Sequence, residues 1–457
     1  MAEDLIISVS GMRGTVGKSL TPVVAAEYAA VFGTFLKENI DTEGERFSVC
    51  VGRDSRVSGP MLASAVAAGL CATGVDVVDL GIVTTPCVGI MVRELGCEGG
   101  LVITASHNPI PYNGIKLMLS NGVAPPVNTA EIIRQRFLAR HFHLVESIGC
   151  GRITSSDRTD RVHIDKVLAI VNAGQIAGKG YKVVLDSING AGARITKKLL
   201  AELGCRVVAI NDEPTGLFVH EPEPTAANLK ELCKWVKQER ADLGFAQDPD
   251  ADRLAIVDET GTYIGEEYTL ALAATHMFAT NGGVAAANLS TSRMIDDVAR
   301  RAGARVIRTP VGEANVANAM LDHKCIIGGE GNGGVIDLRV GPVRDSLVGI
   351  ALVLQLMAET GKSISQLVQQ IGGYSMHKDK FAADSEQAAR IMELATERFA
   401  DAVLNTSDGC RFDFPDGWIH LRQSNTEPVM RVIVEARDEP TARQYIEAVA
   451  GIRRSVL

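Results

Sequence analysis

A chain of 457 residues is long enough for about three ordinary domains. With 46% hydrophobic and 22% charged residues, its composition is that of a globular protein rather than a disordered or fibrous one. A net charge of −9 excludes a nonspecific electrostatic grip on nucleic acid, so an anionic ligand must meet locally gathered basic groups.

Leu5 to Val9 reads as a strand, and Ser10 to Ser19 as a Gly-rich loop. The loop is not a nucleotide-binding P-loop: the glycine that motif requires falls on Met12, and Gly11 is one residue early. Arg13 and the backbone amides can still hold an anion. A helix follows, with Thr21 as its N-cap and Pro22 at its first position. The acidic start and short apolar runs predict neither a signal peptide nor a membrane span. Nine scattered cysteines, with no Cys-x-x-Cys and several inside apolar runs, read as reduced core residues of a cytoplasmic protein.

A repeat then organises the chain. Strand Phe47–Val51, the polar turn Gly52–Arg56, helix Pro60–Cys71 and a strand opened by Gly74 form one βαβ unit. The same order returns at Tyr181–Leu185, Asp186–Gly190, Ile195–Leu203 and Gly204, and again at Val284–Ala287, Ser290–Ser292, Met294–Arg301 and Gly303. Three copies predict three related α/β domains in tandem. Charged sequence from Gly149 to Arg161 reads as a linker. A helix from Asp345 to about Thr360 closes the third unit. Beyond Gly372-Gly373 lies a small α+β domain with helices near Ser385–Phe399 and Pro440–Val456 and strands at Trp418–Leu421 and Val429–Glu435.

Four stretches carry chemistry. Thr104-Ala105-Ser106-His107-Asn108-Pro109 follows the apolar run Leu101–Ile103 and presents Ser106 at a strand's end. No Gly-x-Ser-x-Gly surrounds it, and on an extended segment His107 points away from Ser106, which argues against a serine hydrolase. In Asp248-Pro249-Asp250-Ala251-Asp252-Arg253, alternation along an extended chain puts three carboxylates on one face, where a hard cation relieves their repulsion. A calcium loop is a poor fit despite Glu259 at the twelfth place, since Arg253 replaces the required glycine and strands flank the motif. Gly328–Gly334 offers Glu330 and Asn332 to sugar hydroxyls. Arg422-Gln423-Ser424-Asn425-Thr426-Glu427-Pro428, with Arg431, is a candidate phosphate clamp. Read alone, each has a plain alternative as a polar turn or hairpin.

Together, these motifs and Asn113-Gly114-Ile115-Lys116 resemble the α-D-phosphohexomutase superfamily along nearly the whole chain. The resemblance implies four domains around a central cleft: three tandem related α/β domains with mixed sheets, then an α+β domain. Their ranges are 1–152 with the serine loop, 153–256 with the metal loop, 257–371 with the sugar loop and 372–457 with the phosphate loop. It implies that Ser106 carries a phosphoryl group and that one Mg²⁺ is held by that phosphoserine with Asp248, Asp250 and Asp252. Arg13, His107, Lys116 and Arg253 would attend the transferred group. Glu330 and Asn332 would read sugar hydroxyls, and Arg422, Ser424, Asn425, Thr426 and Arg431 the other phosphate. The expected reaction interconverts hexose 1- and 6-phosphates through a bisphosphorylated hexose, which also serves as activator. The family's histidines are replaced by Glu313 and Gly334, and Asn332 replaces a serine. This pattern is closest to archaeal-type phosphoglucosamine mutases; phosphomannomutase/phosphoglucomutase is the alternative. Readings of another class are a metal-dependent sugar-phosphate phosphatase and a catalytically silent sugar-phosphate sensor. The expected partner is a hexose phosphate, with no nucleic acid or membrane, in a monomer or homodimer.

Overall fold

The computed structural model describes residues 5–8, 11–41, 46–423 and 429–456. The three repeats fold into sheets of one topology. In the first, Ser48–Arg53 runs parallel to Asp76–Ile82 on one side and Gly99–Ile103 on the other, and Tyr112–Leu119 closes antiparallel on Gly99–Ile103. The second places Lys182–Asp186 between Arg206–Ile210 and Leu243–Gln247, with Leu254–Asp258 antiparallel at the edge. In the third, Val284–Asn288 lies between Arg305–Thr309 and Ile327–Glu330, with Gly334–Ile336 antiparallel. These are the expected mixed sheets. Each repeat turns into its second strand at a glycine with positive φ: Gly74 at 83°, Gly204 at 70° and Gly303 at 68°. A side chain is disfavoured there, which explains the recurring glycine.

The topology also reveals an equivalence that the linear repeat did not. The serine, aspartate and sugar loops all connect the third strand of a unit to its antiparallel fourth. Each therefore leaves from the carboxyl end of a parallel strand, where open α/β sheets bind ligands.

Two segments around the first sheet differ from the sequence reading. Within the expected Gly-rich loop, Gly11–Thr15 is a strand, paired on one edge with Ile6–Ser8 and on the other with Tyr112–Leu119. Pairing on both edges overrides the poor strand preference of two glycines. In the expected linker, Ile153–Ser155 pairs with Val77–Asp79 and helix Thr159–Leu168 has already begun. The C-terminal unit is one antiparallel sheet of five strands, Ser375–Ala382, Val429–Ala436, Gly417–Gln423, Cys410–Phe414 and Val403–Asn405, with helices Ser385–Arg398 and Glu439–Val456.

Helix Ser346–Thr360 is apolar nearly all round because it is buried nearly all round. Leu347, Leu352 and Leu354 are inaccessible, and they share one core with Ile164, Leu199 and Phe245 of the second unit and Leu270 of the third. Among the described residues, no single helix is long and apolar enough to cross a membrane.

Candidate active site

The serine loop is held from beneath by an ion pair. Arg56 donates through Nε to Asp54 Oδ2 at 3.1 Å. Its Nη2 donates to the carbonyls of Ser106 (2.7 Å) and Asn108 (2.6 Å), and its Nη1 to those of Pro109 and Tyr112 (both 3.0 Å). Asp54 also accepts from the Thr104 hydroxyl at 2.7 Å, and Thr104 Oγ1 accepts the Ser106 N–H at 2.9 Å. So braced, Ser106 adopts the left-handed conformation with φ of 47°. A non-glycine residue in that region is strained, and such strain is common where a side chain must be aimed. The turn also corrects the expectation for His107. Its Nδ1 lies 3.4 Å from Ser106 Oγ rather than pointing away, because the segment is not extended. Burial, and then the charges of Arg253 and Arg13, lower the His107 pKa to about 2, so its ring is neutral.

Opposite Ser106 lies the aspartate loop. Asp248, Asp250 and Asp252 are fully buried, and one ligand oxygen from each lies within 4.8 Å of the others. The convergence is as expected, but its geometry is not extended alternation: Ala251 has φ of 55° and the loop turns on itself. The Ser106 hydroxyl donates to Asp248 Oδ2 at 2.8 Å. Lys116 Nζ donates to Asp250 Oδ2 at 2.7 Å and Asp252 Oδ2 at 3.3 Å, and the Thr85 hydroxyl donates to Asp250 Oδ2. Burial, and then repulsion from Asp250 and Asp252, push the Asp248 carboxyl well above the usual range. Burial also opposes the Asp250 charge, but Lys116 together with hydrogen bonds from Asp248 and Thr85 outweighs it and holds that carboxyl below its ordinary value. Burial likewise opposes the Lys116 charge, and the two aspartates outweigh it, keeping Lys116 an ammonium.

Among the described residues, Asp250 Oδ1 and Asp252 Oδ1 are buried without a hydrogen-bond partner, Asp252 Oδ1 having only Arg253 Nε at 3.9 Å. Orphaned carboxylate oxygens are costly unless something positive meets them. Three carboxylates with two free oxygens suit a hard divalent cation such as Mg²⁺. Glu259 takes no part: it accepts from the Ser363 hydroxyl and the Ser365 N–H at 3.2 Å, so a calcium loop is ruled out.

The remaining basic groups stand at the rim. Arg13 Nη1 donates to Asn108 Oδ1 at 2.8 Å. The Arg253 N–H donates to Asp248 Oδ1 at 3.1 Å, while its buried side-chain Nε lies 3.9 Å from Asp252 Oδ1, an ion pair without a hydrogen bond.

In the third unit, Glu330 Oε1 accepts from Asn288 Nδ2 at 2.7 Å and the Gly312 N–H at 3.2 Å. Its Oε2 accepts from Arg344 Nη1 at 2.6 Å and Asn332 Nδ2 at 3.4 Å. Arg422 and Arg431, directly opposed across their strand pair, line one pocket of about 120 Å³ with Glu330, Asn332, Asn288, Glu267 and Lys378. Ser424, Asn425 and Thr426 lie outside the described residues.

Four groups here escaped sequence reasoning: Arg56 with Asp54, noted only as a polar turn, and Arg344, Glu267 and Lys378. Burial pushes the Glu267 carboxyl up to about 7, against the pull of Lys378 Nζ at 3.1 Å. A Cβ at Gly331 would lie 1.9 Å from Glu267 Oε2, so any side chain there would have to push that carboxylate aside.

His420 ties the fourth unit to this pocket. Its Nδ1 accepts from the Ser290 hydroxyl at 2.9 Å and its Nε2–H donates to the Asp408 carbonyl at 2.7 Å, which is the neutral ring's pattern. Burial lowers its pKa from 6.5 to about 4. Between those pH values the unfolded chain binds a proton that the folded chain does not, so this contribution to stability is lost as pH falls through the window. The loss reaches about 3 kcal/mol. His420→Gln is expected to flatten the fall in urea midpoint between pH 6.5 and pH 4, and an unchanged slope would contradict the assignment.

Comparison with known proteins identifies the family to which the four units belong. Residues 5–143, 161–261 and 266–374 match alpha/beta/alpha domains I, II and III of phosphoglucomutase/phosphomannomutase, and residues 378–452 match its C-terminal domain. A "Phosphoglucomutase/phosphomannomutase" of Thermococcus kodakarensis is 40% identical over 96% of both chains. A "Probable phosphoglucosamine mutase" of Methanopyrus kandleri is 37% identical over 97% of both. The crystal structure of a phosphoglucomutase/phosphomannomutase family protein from Burkholderia thailandensis superposes with a TM-score of 0.87 at 27% identity, covering 99% of this chain and 97% of that one. The chain therefore belongs to the phosphoglucomutase/phosphomannomutase family within the α-D-phosphohexomutases, and it is a phosphohexomutase.

Proposed function

We propose that the chain interconverts the 1- and 6-phosphates of a hexose, preferentially glucosamine, with Ser106 as the phosphoryl carrier. One observation carries this reading: the Ser106 hydroxyl meets a buried Asp triplet with two oxygens that accept no hydrogen bond from the described residues, beside a protonated Lys116. Mg²⁺ held by Asp248, Asp250, Asp252 and the phosphoserine would neutralise charge on the transferred group. The protein's residues supply positioning and the rest of the electrostatics, the main requirements of phosphoryl transfer.

In the forward step the bond from phosphorus to Ser106 Oγ breaks as a sugar oxygen bonds to that phosphorus. The proton lost by the sugar hydroxyl balances the one gained by Ser106, with Lys116 as the acid in the exchange. The product is a bisphosphorylated hexose, which turns over in the cleft and returns its other phosphate to Ser106. Added from outside, the same bisphosphate activates unphosphorylated enzyme. Arg13, His107 and Arg253 surround the transferred group. Glu330 and Asn332 take sugar hydroxyls, and Arg422 and Arg431, with Ser424, Asn425 and Thr426, take the second phosphate. A cytoplasmic setting goes with nine cysteines that are all unpaired.

Support for the amino sugar is the Methanopyrus kandleri relative's name and the added carboxylate, Glu313, which pairs with Arg344 beside Glu330 and Asp252. The Thermococcus kodakarensis relative's name favours glucose and mannose phosphates instead. Purified enzyme with Mg²⁺ and trace glucose 1,6-bisphosphate should therefore be given glucosamine, glucose and mannose phosphates. The highest kcat/KM is expected with glucosamine phosphate, and a higher value for another sugar overturns that preference. Release of inorganic phosphate outrunning isomerisation would favour a phosphatase.

A further inference from the structure

Arg344 links the aspartate loop of the second unit to Glu313 and Glu330 of the third. Each nitrogen of its guanidinium meets a different carboxylate: Nε donates to Glu313 Oε2 at 2.7 Å, Nη1 to Glu330 Oε2 at 2.6 Å and Nη2 to Asp252 Oδ2 at 2.7 Å. Its backbone is anchored on both sides. The next residue, Asp345, caps helix Ser346–Thr360, pairs with buried His163 at 2.6 Å and donates its N–H to the Val335 carbonyl at 2.8 Å. A planar fork carried on such a base fixes its partners in direction as well as distance.

Two departures from the family pattern converge on this side chain. Glu313 is one of its three partners. Gly334 is the other: a Cβ there would sit 2.2 Å from Arg344 Cδ and 2.8 Å from Cγ. Gly334 does not have a positive φ, so its lack of a side chain is explained by Arg344 and not by backbone conformation.

We propose that Arg344 is a positioning residue of the mutase reaction. It holds the sugar-reading Glu330 and the metal-side Asp252 at a fixed separation, and Glu313 and Gly334 are its matched accommodations. The proposal rests on the mutase reading for its catalytic part, while the Arg344–Asp252 contact can be tested without turnover.

Four variants, checked for native circular dichroism, decide the matter: Arg344→Met, Gly334→Ala, Arg344→Ala, and Gly334→Ala combined with Arg344→Ala. Arg344→Met is expected to lower kcat/KM about 100-fold or more. In calorimetry with the metal alone it should bind Mg²⁺ more tightly, because Asp252 loses its competing cation. General damage to the site would instead weaken Mg²⁺ binding. Gly334→Ala should cost about tenfold in wild type, by displacing Arg344, and nothing in the Arg344→Ala background. A kcat/KM within about threefold of wild type for Arg344→Met, weaker Mg²⁺ binding, or an equal Gly334→Ala cost in both backgrounds would overturn the proposal. If wild type shows no turnover of any hexose phosphate, the mutase reading fails, and Mg²⁺ binding alone still decides the Arg344–Asp252 contact.

Discussion

Replacing Ser106 with alanine is expected to reduce mutase turnover by about four orders of magnitude or more, while leaving a folded protein. The magnitude follows from the role: when a covalent carrier is removed, the positioned groups that remain have nothing to transfer. Folding should survive because the serine side chain makes one strong hydrogen bond, to Asp248, and the loop is braced through backbone carbonyls and Thr104. The stability change should stay within about 1 kcal/mol in urea titration. Pairing the two measurements matters, since an inactive variant that had also unfolded would say nothing about transfer. Residual turnover above about a hundredth of wild type would remove Ser106 from the carrier role.

The second large effect is expected on stability. Arg56→Met should lower the unfolding free energy by about 3–5 kcal/mol, the range for breaking a buried ion pair on one side. Asp54 would be left charged and fully buried, and four carbonyls of the serine loop would lose their donor. The Arg56 guanidinium also lies 4.9 Å from the Phe218 ring centroid, so a contact with the second unit is lost as well. Asp54→Asn added to Arg56→Met should recover part of the stability, because the uncompensated charge is removed, but not activity, because the loop remains unbraced. The denaturant midpoint and kcat of the single and double variants test this together. A single variant as stable as wild type would mean that the pair contributes nothing net.

What the sequence showed and hid divides along physical lines. Ser106, the Asp triplet, Glu330 and Asn332 stood out as candidates because each motif is contiguous, and the structure brings Ser106 to the triplet and puts Glu330 and Asn332 in one pocket. The repeat was legible because glycine is favoured at Gly74, Gly204 and Gly303 by backbone conformation alone. Arg344 and Arg56 were hidden because their meaning lies in partners far along the chain: Asp252 is 92 residues from Arg344, and Ser106 is 50 from Arg56. Strand Ser375–Ala382 was missed because most of its side chains are partly or fully exposed, leaving no apolar alternation to read. The Asp triplet shows a third case. Extended alternation predicted convergence, and convergence is present, but the turn at Ala251 produces it. The same departure from extended backbone, at Ser106, brings His107 beside the hydroxyl.

The central claim is that phosphate passes through Ser106. The direct test is a single turnover. Enzyme treated with glucose 1,6-bisphosphate carrying labelled phosphate should be freed of sugar, weighed intact and then mixed with unlabelled glucosamine 6-phosphate and Mg²⁺. One added phosphoryl group is expected, mapped to Ser106, and it should leave the protein for the sugar at a rate no slower than kcat. Labelled phosphate that never attaches to Ser106, or that attaches and goes to water instead of the sugar, would contradict it.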